Sequence, residues 1–230
     1  MSNLTGILAA ARTLSYYSRL QEVTANNLAN VNTAGFKADH LAARRLTDMD
    51  HPVPIESTDW SQGALRVTGR PLDVALEGKG FFTVETKSGD RLIRGGSLRL
   101  DGNGVLTDAE GNPVLGEQGK IVLTGAKIEV QPDGSVVDDG HVVDRLRVVE
   151  LGPEAKLSKE AAGRFVVSDP EQLVSSTTPV RAGQLEEANF NPIAGMISLV
   201  EIQRAYAANV TAVRSLDGVL GSVTNDVARV

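Results

Sequence analysis

The chain of 230 residues contains no cysteine, which rules out disulfides and thiolate metal sites. Aromatic residues make up 4% of it, with one Trp, three Tyr and five Phe, so any core has to be built from Val, Leu, Ile and Ala. Positive charge is in deficit: 23 Lys and Arg stand against 29 Asp and Glu, for a net charge of −6. No basic stripe interleaved with aromatics occurs. That argues against a nucleic-acid binder, because neutralising phosphates takes clustered cations. No apolar run approaches the roughly 18 residues that span a bilayer. The opening "MSNLTGILAAARTLSYYSRL" lacks a basic n-region, and its apolar stretch from Gly6 to Ala11 ends at Arg12. It does not read as a signal peptide, and the expectation is a cytosolic protein unless a route of export exists that needs no such signal.

Catalytic and metal-binding patterns are missing as well. His40, His51 and His141 show no metal-ligand spacing. The stretch "DGNGVLTDAEGN" (101–112) places Asp101 and Asn103 as a calcium loop would. Val105, Leu106 and Asn112 then fail positions five, six and twelve, and a hairpin turn explains it better. "GKG" (78–80) has neither the third glycine nor the following helix of a dinucleotide fingerprint. The chain is read as non-enzymatic, with no cofactor and no small-molecule substrate.

Three parts separate along the chain. Near the N-terminus Leu4, Ile7, Ala11, Leu14, Ser18, Gln21, Ala25 and Leu28 alternate spacings of three and four, the seam period of a coiled coil. In the middle, short apolar runs recur: "LDVAL" (72–76), "GFFTV" (80–84), "GKIVL" (119–123), "KIEV" (127–130), "RLRVVEL" (145–151) and "RFVV" (164–167). The turn signals "DGNG" (101–104), "EGNP" (110–113), "PDG" (132–134) and "DDG" (138–140) punctuate them, which predicts an antiparallel β body. Asn191 before Pro192 reads as an N-cap with proline at the first helical position. From there Leu199, Ile202, Tyr206, Val210, Val213, Leu216, Leu220, Val223 and Val227 keep the three-or-four spacing of one long helix.

The expected fold is therefore mixed α and β. Long N- and C-terminal helices pair as a coiled coil, and a central antiparallel β-rich domain follows the first of them. The expected domains are a discontinuous helical inner domain of residues 1–36 and 189–230, a polar connector over 37–63, and a β body over 64–188.

The segment "ANNLANVNTAGFK" (25–37) sets four asparagines where a helix is about to stop. Asn is a poor helix-interior residue, because its amide competes for backbone hydrogen bonds. A buried amide can fix the register of packed helices, since a misaligned one loses hydrogen bonds worth roughly 1–3 kcal/mol. Asn26, Asn27 and Asn30 are candidates for that role, with Gln203 and Asn209 as candidate partners. The plainer alternative is that Asn30 and Asn32 cap a fraying helix end. Gly35 suits a left-handed turn, with Phe36 packing either on its own chain or on a neighbouring subunit.

The same segment resembles the N-terminal signature of the bacterial flagellar rod and hook axial proteins. Asn26, Asn27, Leu28, Ala29 and Asn30 carry its core, and Thr33, Gly35, Phe36 and Lys37 its turn. "SLVEIQRAYAANVTAV" (198–213) resembles the family's C-terminal helix through Gln203, Arg204, Ala205, Tyr206 and Asn209. "PLDVALEGKGFFTV" (71–84) resembles the opening of its β body. Length and the short connector look most like the proximal-rod type, with a distal-rod or hook-type member as the runner-up. A β-rich cell-wall enzyme or binding domain is the rival from another class.

The resemblance implies a structural subunit of the basal-body rod, a hollow drive shaft that transmits torque and conducts exported subunits. It implies a helical homo-oligomer, other rod and hook subunits as partners, and passage through the flagellar type III export apparatus without a cleaved signal peptide. It places subunit contacts at Asn26, Asn27, Leu28, Asn30, Gly35, Phe36, Gln203, Arg204, Tyr206 and Asn209.

Overall fold

In the computed structural model of the chain, residues 2–45, 52–125, 127–160 and 163–227 are described. They fall into two compact units: Met1–Asn30, Ala38–Asp59 and Phe190–Val230 form the first, and Val31–Lys37 with Trp60–Asn189 form the second.

The first unit holds α1 (Ser2–Ala29), β1 (Asp39–Arg45), β2 (Pro52–Thr58) and α2 (Pro192–Val227). Asn191 starts α2 by accepting the backbone N–H groups of Ile193 and Ala194 at 3.0 and 3.1 Å, a side-chain cap ahead of Pro192. At the other helix's end, the backbone N–H and the side-chain amide of Asn30 both donate to the Asn26 carbonyl. β1 and β2 pair antiparallel in register from Asp39↔Thr58 to Arg45↔Pro52. Over the first four residues of β1, Asp39 and Leu41 are half-buried while His40 and Ala42 are exposed, the period-two pattern of a strand with one covered face; Ala43 beyond them is exposed. Residues 37–63, expected as a polar connector, thus contain a paired hairpin.

The expected coiled coil is corrected by this arrangement. The described residues hold two α-helices, one at each end of the chain, with a β-rich middle, and the fold is mainly β. α1 and α2 touch, but most of the expected seam is not buried: among its described side chains Ala11, Ser18, Ala25 and Tyr206 are exposed, Leu14, Gln21, Leu28, Leu199, Val210 and Val213 are half-buried, and Ile202 alone is buried. Among the described side chains of α1, the buried ones are Val23, Thr24 and Asn27. The physical reason is the hairpin, which claims part of the helix face. Arg19 pairs with Glu56 at 2.5 Å, and Asn27 bonds the backbone of Asp39.

The second unit contains β3 (Leu65–Val67), β4 (Asp73–Leu76), β5 (Phe81–Thr86), β6 (Gly89–Ile93), β7 (Gly95–Ser97), β8 (Arg99–Leu100) and β9 (Leu106–Thr107). It continues with β10 (Ile128–Val130), β11 (Ser135–Asp138), β12 (His141–Arg145), β13 (Val148–Leu151), β14 (Leu157–Lys159), β15 (Phe165–Val167), β16 (Leu173–Ser175), β17 (Val180–Ala182) and β18 (Gln184–Glu186). The largest sheet runs β14-β15-β6-β5-β13-β16; beside it lie β10-β11-β12, β17-β4-β7, β18-β3 and β8-β9. Alternation along β5 feeds both faces of its sheet. Phe82 and Val84 enter the main core with Val74, Leu76, Leu106 and Ile121, whereas Phe81 joins Leu92, Val149 and Phe165. The "DDG" turn joins β11 to β12 through Asp139 (φ 45°) and Gly140 (φ 86°), two positive φ values in a two-residue loop, as primed hairpin turns demand. No helix among the described residues is long and apolar enough to cross a membrane.

Candidate functional site: the N-terminal turn and its buried ions

Residues 33–37 make a tight turn on the larger unit. Gly35 has φ +67° and donates its N–H to the Glu186 carbonyl at 2.8 Å. A side chain here would be strained, and its Cβ would lie 2.8 Å from the Cβ of Arg94. Phe36 follows, buried, with the ammonium of Lys159 4.6 Å from its ring centroid, a cation–π contact.

Lys37 then points into the protein. Its side chain and that of Glu186 are each 1% exposed. Lys37 Nζ donates to Glu186 Oε1 at 2.5 Å and to the Ser61 carbonyl at 2.6 Å. Glu186 Oε1 also accepts the Gly63 N–H at 3.1 Å, and Oε2 accepts Arg94 Nε and Nη2 at 3.0 and 2.9 Å. Arg94 also donates to the carbonyls of Gly80 and, at 2.8 Å, Gly78. Its guanidinium stands 5.6 Å from the Phe81 ring centroid. The triad carries two cations and one carboxylate. Isolated charges would be costly so deep in the protein, and here carbonyl dipoles and a backbone N–H complete their shells. Trp60 packs edge-on against Phe81 and Phe165 at 6.5 and 5.3 Å.

In the smaller unit, Asn27 is 2% exposed, and its amide exchanges two hydrogen bonds with the backbone of Asp39. The other positions expected as contacts are scattered. Asn26 is exposed, while Leu28 and Asn30 are half-buried. Gln203, Arg204 and Tyr206 are exposed on α2, and Asn209 donates back to the Ala205 carbonyl one turn earlier at 2.8 Å. The structure does not bring Asn27 to Gln203 or Asn209; its amide is used on its own hairpin.

Arg94, Glu186 and Ser61 escaped the sequence reading. Glu186 is one of 29 acidic residues, and nothing in "QLEEAN" announces burial. The one available signal was Lys37, a cation set directly after Gly35 and Phe36 in a turn that otherwise buries apolar groups. Among the described residues, no three His, Asp or Glu side chains gather as metal ligands.

Three known sequence families match the chain in order. "Flagella basal body rod protein" covers residues 7–37, "Flagellar hook protein FlgE/F/G D1 domain" residues 75–138, and "Flagellar basal body rod FlgEFG protein C-terminal" residues 181–226. The flagellar basal-body rod protein FlgF of Escherichia coli K12 is 31% identical over 93% of this chain and 92% of its own length. FlgF of Caulobacter vibrioides is 30% identical over 80% and 82% of the two chains. The rod protein FlgG of Bacillus subtilis is 25% identical over 89% and 92%. Each matched segment contributes one member of the buried triad: Lys37 from the first, Arg94 from the second and Glu186 from the third.

Proposed function

The chain belongs to the flagellar basal-body rod protein family, and from that premise we propose how it works. It is a structural subunit of the bacterial flagellar basal-body rod, most like the proximal-rod type, and there it interacts with other rod and hook subunits. In our reading the subunits stack helically into a hollow shaft that passes torque outward and conducts exported proteins. The chain reaches that shaft through the flagellar type III export apparatus. It catalyses nothing and takes no cofactor.

The observation that carries this reading is the likeness to rod proteins along about nine-tenths of both chains. Surface chemistry supports it. Ile193, Met196, Ile197 and Val200 recur at helical spacing along α2 and are 47–66% exposed, an apolar stripe that suits a contact between subunits. Asn26, Gln203, Arg204 and Tyr206 are exposed beside Leu28, Asn30 and Asn209, and we assign them to subunit contacts. Asn27, Gly35 and Phe36 serve those contacts from inside, by fixing the path of the chain. A helical assembly repeats one heterologous contact, so a fault in either set is multiplied along the shaft.

Deleting the gene in its own bacterium tests the reading. Cells should fail to spread in soft agar, electron micrographs should show basal bodies without a complete rod, and a plasmid copy should restore both. Swimming cells with full rods after the deletion would overturn it.

A further inference from the structure

The chain passes between its two units at residues 30/31, 37/38, 59/60 and 189/190. On the side of the larger unit, three of these passages end on one knot. Lys37 Nζ donates to the Ser61 carbonyl at 2.6 Å. Asn189 Nδ2 donates to the same carbonyl at 3.1 Å and contacts the Ser61 hydroxyl at 3.2 Å. The Asn189 N–H reaches the Phe36 carbonyl at 3.3 Å. Glu186, three residues before the last passage, grips Lys37 on one side and Arg94 on the other, and Arg94 is fastened to the loop after β4 through the Gly78 and Gly80 carbonyls.

Secondary structure alone would hold this corner weakly. β18 is three residues long and, among the described residues, pairs with β3 alone, itself three residues long. Tension on Asn189 would peel such a strand one hydrogen-bonded pair at a time. With the knot in place, the same tension loads the Glu186 ion pairs, the Ser61 ties and the Phe36 carbonyl together. Several bonds must then break in one step.

We infer that Lys37, Ser61, Glu186, Arg94 and Asn189 form a mechanical clasp, which gathers the tension of three chain passages and delivers it to the β body as a shared load. The inference rests on the torque-bearing reading above for its purpose, but its physics belongs to the single chain and can be measured on monomer.

The absence of cysteine makes a pulling experiment clean, since two introduced cysteines are the only handles. A208C with V142C applies force through the Asn189 passage into the larger unit. N103C with V142C loads the larger unit across a stretch that contains none of the five clasp residues. All three positions are exposed. Lys37→Met, introduced into both full-length double-cysteine variants, removes one cation and leaves the Glu186–Arg94 pair. Lifetimes at constant force report the barrier to rupture. The substitution should shorten the lifetime about tenfold or more in the first geometry and less than about threefold in the second.

Equal factors in both geometries, or no change in either, would overturn the clasp. Should Lys37→Met not fold, Asn189→Ala leaves the ion triad whole, and the same directional difference decides the question. Equal lifetimes would leave the rod reading standing. Normal swimming without the gene would remove the rod reading and leave the lifetimes as measured.

Discussion

Asn27 and Asp39 are joined as two strands are joined. The Asn27 side-chain N–H donates to the Asp39 carbonyl at 2.8 Å, and the Asp39 N–H donates to the Asn27 side-chain oxygen at 2.9 Å. A side-chain amide thereby stands in for a peptide unit and pins the first residue of β1 to the last turns of α1. This accounts for an asparagine where a helix would prefer leucine: Leu can fill the space but can satisfy neither backbone group. Asn27→Leu should lower the stability of purified monomer by about 1–3 kcal/mol, the cost of stranding buried polar groups. A shift of the denaturant midpoint and faster hydrogen exchange at the Asp39 amide would report it; unchanged exchange there would refute it.

Gly35→Ala tests the turn. The residue needs φ +67°, and the new methyl would sit 2.8 Å from Arg94 Cβ. Left-handed backbone alone costs a non-glycine residue roughly 1–2 kcal/mol, and Arg94 would have to move off Glu186 as well. Thermal unfolding of the variant should begin at lower temperature than wild type, with loss of protection at the Gly63 amide that Glu186 accepts.

Phe36→Ser separates two ideas about its ring. Phe36 is 8% exposed within its own chain, so the substitution should destabilise the monomer, by about 3–5 kcal/mol if it behaves like Phe→Ala in a core. A monomer of wild-type stability that fails only to assemble would place the ring's contact between subunits instead.

Glu186→Gln leaves Lys37 and Arg94 buried without their carboxylate. Breaking a buried pair in this way costs about 3–5 kcal/mol, far more than an exposed pair such as Lys127–Glu129 would. Equilibrium denaturation of Glu186→Gln beside Glu129→Gln measures the contrast; equal midpoints would mean that the triad contributes little.

Acid acts through Asp73. Burial pushes its carboxyl upward, but hydrogen bonds from Arg70, Thr68 and Ser97 and the charge of Arg70 outweigh that and hold it below the ordinary carboxylate value. A group whose folded-state pKa is depressed stabilises the fold above its unfolded pKa, and the effect fades as pH falls through the folded value. The stability gap between wild type and Asp73→Asn should be widest at neutral pH and close on acidification. A gap that widens in acid would contradict the assignment.

Local signals were legible in the sequence. Asn191 and Pro192 announced the start of α2, the "DDG" turn announced the β11–β12 hairpin, and "LDVAL" and "GFFTV" announced the two strands that feed the core. Each depends on neighbours in sequence, so local chemistry was enough. The β1–β2 hairpin was hidden because Pro52 and Pro54 discourage a strand reading, although an edge strand tolerates residues without an N–H. "GKIVL" misled in the opposite direction. Its burial alternates at Ile121, Val122 and Leu123, yet it makes only isolated bridges to Val105 and Leu115.

The three-and-four spacing at the N-terminus suggested a coiled-coil seam, but the spacing could not say what covers the helix, and the hairpin took part of that face. The buried triad depends on partners 92 and 149 residues apart along the chain. One Glu among many gives no sign that it will meet a Lys and an Arg in the interior, so the center of the site became visible only in three dimensions.

The most direct test is to isolate basal bodies from cells whose own copy of the gene carries a small epitope tag in the exposed β11–β12 turn. A rod subunit will co-purify with the basal body, remain after the hook and filament are stripped, and be labelled along the shaft in electron micrographs. Tagged protein found only in the cytoplasm or the membrane fraction, with unlabelled but intact rods, would contradict a role in the rod.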